Sequence, residues 1–457
     1  MTRGKDVATI GSRIEMFVDN WLIEERQGTE LRVTPPVKRE VVMKFDQPWE
    51  GNTVCYFTVI QDEGKIRLYY RGNARADDHD DRQVTCYAES EDGVQFAKPA
   101  LGVYEYEGSG KNNIIWRGLE SHNFAPMKDV SPAAAKESLF KAVGGVAPRG
   151  TPWTKGMLNA LHSQDGIHWS KMEEHPVITD QPFDSHNIIL WDPNIEAYRC
   201  YARYWTEQKV RAVHSSVSPD FRTWQPFELN TYDADVPIEH FYTNASVVCP
   251  GAEHMYLSFP KRFVESRKKV AEHPVSGLSD TVFMSSRDGL HWDRTFPEGW
   301  LRPGHDRKNW TERSSMIAHG IVQLETEPEL FSLYVTEHYR WDDVQLRRVT
   351  VRKHGFGSLH GGYRGGEATT RPLVFSGNRL LLNYATSAAG SIQVELTDES
   401  GRPLEGYAAA DMETLYGDEL EGVVRWRNGE DVSALAGKPV RIRFLLSDAD
   451  IYSLQFK

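Results

Sequence analysis

LHSQDGIHW (161–169) and FMSSRDGLHW (283–292) carry one pattern in one order: an apolar strand end, a serine, an Asp-Gly pair and an aromatic. Asp-Gly favours the positive backbone dihedrals of a tight hairpin, and the following aromatic is placed to pack between neighbouring sheets. CYAESEDGVQF (86–96) and HSSVSPDFRTW (214–224) keep the pattern, and VTVRKHGFGSL (349–359) is a weaker fifth copy. Anchored on Asp92, Asp165, Asp220, Asp288 and His354, the copies lie roughly 55 to 73 residues apart, room for one four-stranded sheet each. The turn aspartates read as structural and are set aside as catalysts.

Strand-like runs precede each copy, such as NTVCYFTVIQ (52–61) with KIRLYYRG (65–72), and NIILWD (187–192) with AYRCYARY (197–204). No long helical periodicity occurs. The expectation is an all-β chain: a five-bladed β-propeller over residues 1–360 and a β-sandwich over 367–457. GSLHGGYRGG (357–366) reads as the linker between them, followed by strand runs such as RPLVFSGNRLLLNYA and KPVRIRFLL.

With 65 acidic against 53 basic residues the net charge is -12, which argues against a general nucleic-acid partner and leaves room for a local basic pocket. No apolar run approaches a membrane span, and MTRGKDVATIGSR lacks the apolar centre of a secretory signal. The expectation is a cytoplasmic protein, or a secreted one if a signal was removed. Cys55, Cys86, Cys200 and Cys249 sit singly in strand-like runs, without zinc spacing, and read as buried free thiols.

In a propeller blade the start of the first strand lies beside the end of the second, at one mouth. The first strands begin WEGN (49–52), ESHN (120–123), DSHN (184–187), EHFYTN (239–244) and ERSS (312–315). Each carries an acid, Glu50, Glu120, Asp184, Glu239 and Glu312, and three carry a histidine, His122, His186 and His240. ESHN and DSHN repeat acid, His and Asn at one spacing, which adds Asn123 and Asn187. Second-strand ends contribute Arg71, Arg203, Lys261, Arg262, Glu337 and His338, and Trp49, Tyr204, Trp205, Tyr242 and Trp341 offer apolar faces for sugars.

Cleaving a glycosidic bond takes a protonated carboxyl at the leaving oxygen and an ionised one that attacks the sugar or activates water. Crowded carboxylates raise some pKa values while neighbouring cations hold others ionised. The five acids are therefore expected to converge on one cavity and act on a carbohydrate substrate. Glu50 is expected as nucleophile or base, and Asp184 or Glu239 as general acid. Glu120 would tune pKa values or hold hydroxyls. Arg71, Arg203 and Lys261 point to an anionic or heavily hydroxylated sugar. No organic cofactor is required; a divalent cation in the channel is a second arrangement, with no specific ligand spacing behind it. Oligomeric state has no signature in the sequence.

The layout resembles the five-bladed propeller glycoside hydrolases: the invertase/levanase family 32, the arabinanase/xylosidase family 43 and the related family 117. The resemblance rests on the SxDGxxW-like units, the acid at each blade start and the trailing sandwich, where TTRPLVFSGNRLLLNYATSAAGSIQVELTDESGRPLEGY is similar to the end module of family-32-like proteins. By position it implies Glu50 where family 32 has Asp in a WMNDPNG-type motif, Glu120 in place of an RDP-type motif, and Asp184 in place of the Glu of an EC-type motif. None is a literal match, so fructan specificity is not implied. Two other readings stay open: a sialidase-like enzyme, which needs an arginine cluster, a tyrosine nucleophile and six blades, and a non-catalytic sugar-binding propeller.

Overall fold

The computed structural model describes residues 7–74, 82–233 and 235–457; residues 1–6, part of the N-terminal stretch read above, lie outside them. The chain forms two compact units: Pro36–Thr350, and the residues up to Pro35 together with Val351–Lys457.

The first unit is a five-bladed propeller. Blade I is built from Cys55–Asp62, Lys65–Asn73, Gln83–Ser90 and Ile114–Arg117, in that order across the sheet. Blade II uses Ala125–Lys128, Phe140–Gly144, Gly156–Ser163 and Ser170–Lys171, and blade III Ile188–Asp192, Ala197–Trp205, Arg211–Ser218 and Glu228–Leu229. Blade IV is divided into two ladders, one containing Tyr256–Ser258 and Met284–Ser286 and the other Lys261–Val264 and Leu278–Val282. The interruption falls at Pro260, which has no N–H to give a ladder. Blade V uses Met316–Ile317, Leu330–Glu337 and Gln345–Arg352, and takes its outer strand, Val37–Lys44, from the start of the chain.

Four turns repeat one hydrogen-bond pattern. Ser90, Ser163, Ser218 and Ser286 each donate from Oγ to the aspartate two residues on, whose carboxylate accepts from the backbone N–H groups two and three residues further along. Each following residue has positive φ: Gly93, Gly166, Phe221 and Gly289. Three of these turns dock on the second strand of the preceding blade. Tyr334 donates to the Gly93 carbonyl at 2.7 Å, Arg67 to that of Asp165 at 2.8 Å and Tyr201 to that of Gly289 at 3.0 Å. Trp169 and Trp292 then pack edge-on against Tyr69 and Tyr201. The weak fifth copy is no such turn. His354 lies beyond the propeller, where the chain crosses into the second unit, because blade V is completed by the N-terminal strand.

A Cβ on Gly289 would lie 2.9 Å from the Tyr201 hydroxyl and 3.0 Å from Arg199, at φ +76; one on Gly102, at φ +68, would meet nothing within 4 Å. Gly289→Ala is therefore expected to cost about 2–3 kcal/mol and Gly102→Ala only about 1 kcal/mol. Urea unfolding of the two variants side by side checks this; equal losses would dissociate the turn from blade docking.

The second unit is a β-sandwich whose long strands, Leu380–Thr397 and Arg441–Phe456, pair antiparallel with a break between Thr386 and Ser391. Its core includes Phe375 stacked on Phe456 at 3.7 Å, with Trp426 and Phe444. Two expectations about its limits are corrected. Ile23–Gln27 and Thr29–Val33 pair with Gly366–Thr370 and Gly357–Gly361, so the first strands belong to this unit, which resumes at Val351 rather than 367. The stretch GSLHGGYRGG is thus mostly paired strand, not linker. Its glycines serve close approach: a Cβ on Gly361 would lie 2.4 Å from Leu446, and one on Gly366 2.4 Å from Gly28. The four cysteines are buried, and none is joined in a disulfide. Among the described residues no helix is long and apolar enough to cross a membrane.

Candidate active site at the propeller mouth

The five blade-start acids do not converge. Glu50 is fully buried; it accepts from Tyr70 at 2.6 Å, from the Gln47 N–H at 2.9 Å and from Lys98 at 2.7 Å. Glu120, in the single 3₁₀ turn Leu119–His122, accepts from Trp116 at 3.0 Å and Asn159 at 2.8 Å, and pairs with Lys171. Glu312 is clamped between Arg313 and Arg340, each at 2.9 Å. Glu239 is held by Arg262 and Arg294 and faces a different cavity of about 910 Å³, lined also by Asp280, Arg302, His305 and Trp310. Each of these carboxylates is paired with at least one cation from elsewhere in the sequence. Four of the five expected acids are thus held by cations.

The fifth is Asp184. Its side chain is 64% exposed, and His122 binds it at 2.9 Å through Nε2. Because an ionised carboxylate only accepts, the ring donates; Nδ1 turns to Gln83 Oε1 at 3.0 Å, which fixes the ring plane. Surrounding protein works against the charge on Asp184. The His122 hydrogen bond, with the charges of His122, Arg203 and Arg313, more than offsets this and holds the carboxyl well below the usual range. The ESHN and DSHN copies therefore meet across two blades, the histidine of one on the acid of the other.

Around Asp184 stand residues from the remaining blades. Tyr56 has φ +57 at a register break in the first strand of blade I, stacks on His186 at 5.6 Å and carries Arg71 over its face at 5.0 Å. Burial, then the charges of Tyr242 and Asp184, push its phenol far up, so it stays protonated. The ring of Tyr242 is surrounded by cations: Lys261 at 4.0 Å, Arg203 at 4.4 Å, Arg313 at 5.1 Å and Arg211 at 5.4 Å. Its carbonyl accepts from Ser185 at 2.8 Å and Arg203 at 3.0 Å, which ties blade IV to blade III at the pocket. Arg313 also donates to the Tyr339 hydroxyl at 3.0 Å. Arg71, Arg203, Lys261, Tyr242 and His122 thus lie together with Asp184. Tyr56, Arg313, Arg211 and Tyr339 were missed; the unusual backbone at Tyr56 and the tertiary position of Arg313 have no local sequence signal.

The other expected binding residues sit elsewhere. His186 bonds Thr58 at 3.2 Å and meets His319 edge-on below Tyr56; burial, with the His319 charge, brings His186 down to about 3, and burial brings His319 to about 4. Asn123 and Asn187 are consumed by backbone groups, Asn123 at Gly145 and Phe183, Asn187 at Phe183 and Ser185. Trp49 is core, with its N–H on Asn113 at 2.8 Å. His240 meets the side chain of Arg211 at 3.2 Å. His338 pairs with Asp306 at 2.7 Å, beside Glu337, which Lys38 and Arg347 hold. Trp205 packs against exposed Trp153 at 5.9 Å and carries Arg211 at 4.4 Å, the same guanidinium that lies over Tyr242. Among the described residues no group of three or more His, Cys, Asp or Glu side chains is placed to hold a metal.

No family model matches the chain, and no curated protein matches it. Similar solved structures include one described as a glycoside hydrolase (11% identity, TM-score 0.47, 70% of this chain and 92% of that one). Another is an N-acetylgalactosamine deacetylase from F. plautii in complex with blood group B trisaccharide (12%, 0.47, 70% and 95%). A GH32 β-fructofuranosidase of Bombyx mori is similar over both units (11%, 0.44, 93% and 94%). These likenesses concern the fold alone.

Proposed function

We propose that the chain is a glycoside hydrolase that cleaves terminal sugars from an oligo- or polysaccharide at the propeller mouth, with Asp184 as its ionised carboxylate. The observation that carries the reading is the state of Asp184: of the five blade-start acids, the others are closed by cations or face a different cavity, while this one is open to water and held ionised. Such a group attacks the anomeric carbon or activates the attacking water, and its charge steadies the oxocarbenium-like transition state. His122 is the positioning residue that fixes its direction. Proton donation to the leaving oxygen falls to a group other than Glu50 and Glu120, whose carboxylates are buried in their own blades.

A second reading has its own observation. Tyr56 and Tyr242 beside Arg71, Arg203 and Arg313 reproduce the arginine-and-tyrosine chemistry expected of a sialidase-like enzyme, on five blades instead of six. Incubating the full chain with a panel of plant, algal and animal oligosaccharides, and following released sugars by chromatography, tests both. Release of single sugars from chain ends is the expected result. Binding without release from any member would turn the reading to a non-catalytic sugar-binding propeller, and release only from sialosides would favour the second reading.

A further inference from the structure

The mouth holds more positive charge than it neutralises. Arg203 and Lys261 are 5% and 0% exposed, and they donate to the backbone carbonyls of Tyr242 and Glu312 rather than to carboxylates. Glu312 is shared between Arg313 and Arg340, and its carbonyl, not its carboxylate, receives Lys261 at 2.8 Å. Arg211 has the exposed Glu265 at 3.0 Å. Burying a cation without a counter-charge is costly, so a protein with a net charge of -12 gains nothing in stability from this arrangement. What orients these cations is the face of Tyr242. An aromatic quadrupole attracts a guanidinium or ammonium without cancelling its charge, so the charge stays available to a ligand.

We propose that Arg203, Lys261 and Arg313, gathered around Tyr242, form an oxyanion subsite that takes the carboxylate or sulfate group of an acidic sugar. The inference rests on the mouth being the sugar site and adds its substrate class. Guanidinium groups bind planar oxyanions in a two-toothed fashion, and the buried, partnerless Nε of Arg203 leaves one such donor free. Arg203 and Arg313 act on the Asp184 carboxylate as well, so the anionic group sits next to the reacting centre. The Trp153 and Trp205 pair, which carries Arg211, offers an apolar face to the ring of a neighbouring sugar. Burial depresses Lys261 first, the Glu312 charge pulls it back, and Arg313, Arg203 and Arg211 depress it further.

The test compares binding to the intact protein by titration calorimetry at low and high salt. The probes are glucuronate, galacturonate and glucose 6-sulfate, with glucose and galactose as neutral counterparts. The acidic members are expected to bind at least tenfold more tightly, to weaken with salt and to lose that advantage in Arg203→Gln; the carboxylate and sulfate arms distinguish the two sources of the oxyanion. Arg203→Lys, which keeps the charge, covers the case in which the first variant does not fold: it is expected to keep the salt sensitivity at reduced affinity. Equal binding of acidic and neutral sugars, or an acidic preference unchanged in both folded variants, overturns the subsite. Because binding is read without turnover, acidic preference with no hydrolysis would fail the hydrolase reading alone, and hydrolysis of neutral sugars only would fail the subsite alone.

Discussion

Asp184→Asn is expected to lower turnover roughly a thousandfold or more while leaving the fold and sugar binding in place. The substitution keeps the side chain's shape and an oxygen that still accepts from His122 Nε2, so the geometry at 2.9 Å is preserved. What it removes is the charge, and with it the group that attacks or activates water. His122→Gln, which loosens the carboxylate instead of removing it, is expected to cost on the order of a hundredfold. Glu50→Gln is the contrasting case. It leaves Lys98 beside a neutral amide in a buried network with Tyr70, and is expected to cost about 3 kcal/mol of stability with kcat within a few-fold of the parent. Rates on a substrate found by the panel, together with urea unfolding of each variant, separate these effects. Retention of a tenth of the turnover in Asp184→Asn, with loss in Glu50→Gln, would place the chemistry in blade I instead.

Acid is expected to unfold the propeller through its buried histidines before it protonates Asp184. His186, His319 and His214 are brought down to about 3, about 4 and about 3, chiefly by burial. In the unfolded chain they take up protons near their ordinary value of 6.5, so over the interval between folded and unfolded values the unfolded state binds more protons. Stability is then complete above about pH 6.5 and falls as the pH drops, by up to about 1.4 kcal/mol per unit for each histidine. Between pH 6 and pH 5 the three together cost about 3–4 kcal/mol, a large part of the stability of an ordinary domain. Carboxylates with depressed values, such as Asp184, contribute stability above their unfolded value of 3.8 and lose it only below that. His214 isolates the effect, because its ring stacks on Phe227 at 3.9 Å and its Nε2 has no partner. His214→Phe is expected to be neutral or stabilising at pH 7 and to remove about a third of the acid slope. A melting temperature unchanged from pH 7 to pH 5 would contradict the whole account.

What could be read in the chain and what could not divide along the range of the interactions. The Asp-Gly turns were legible because a turn is made by four or five adjacent residues, and Ser163, Asp165 and Gly166 close their pattern among themselves. The acids of the mouth were misread because their fate depends on distant cations. Glu120 and Asp184 sit in the same tetrapeptide pattern, yet Lys171 closes the first and leaves the second open. Tyr56 lies within an apolar strand run and enters the pocket only through its left-handed backbone, which no residue type announces. Likewise KREVVMK looks like any strand, and nothing local says that it completes the last blade.

That closing strand sets an order of assembly. Val37–Lys44 emerges early in synthesis, but its partner Gln345–Arg352 follows roughly 300 residues later. Four blades can therefore be stacked while the fifth still lacks its edge, and Val42 and Met43, buried in the finished fold, wait for Gln345–Arg352 to be made. Joining such distant segments adds little loop entropy beyond what a shorter closure demands, but it puts the closure last. The strands between residues 8 and 33 wait longer still, for partners in the final hundred or so residues. The strands between residues 8 and 44 are thus made well before the partners they pair with in either unit.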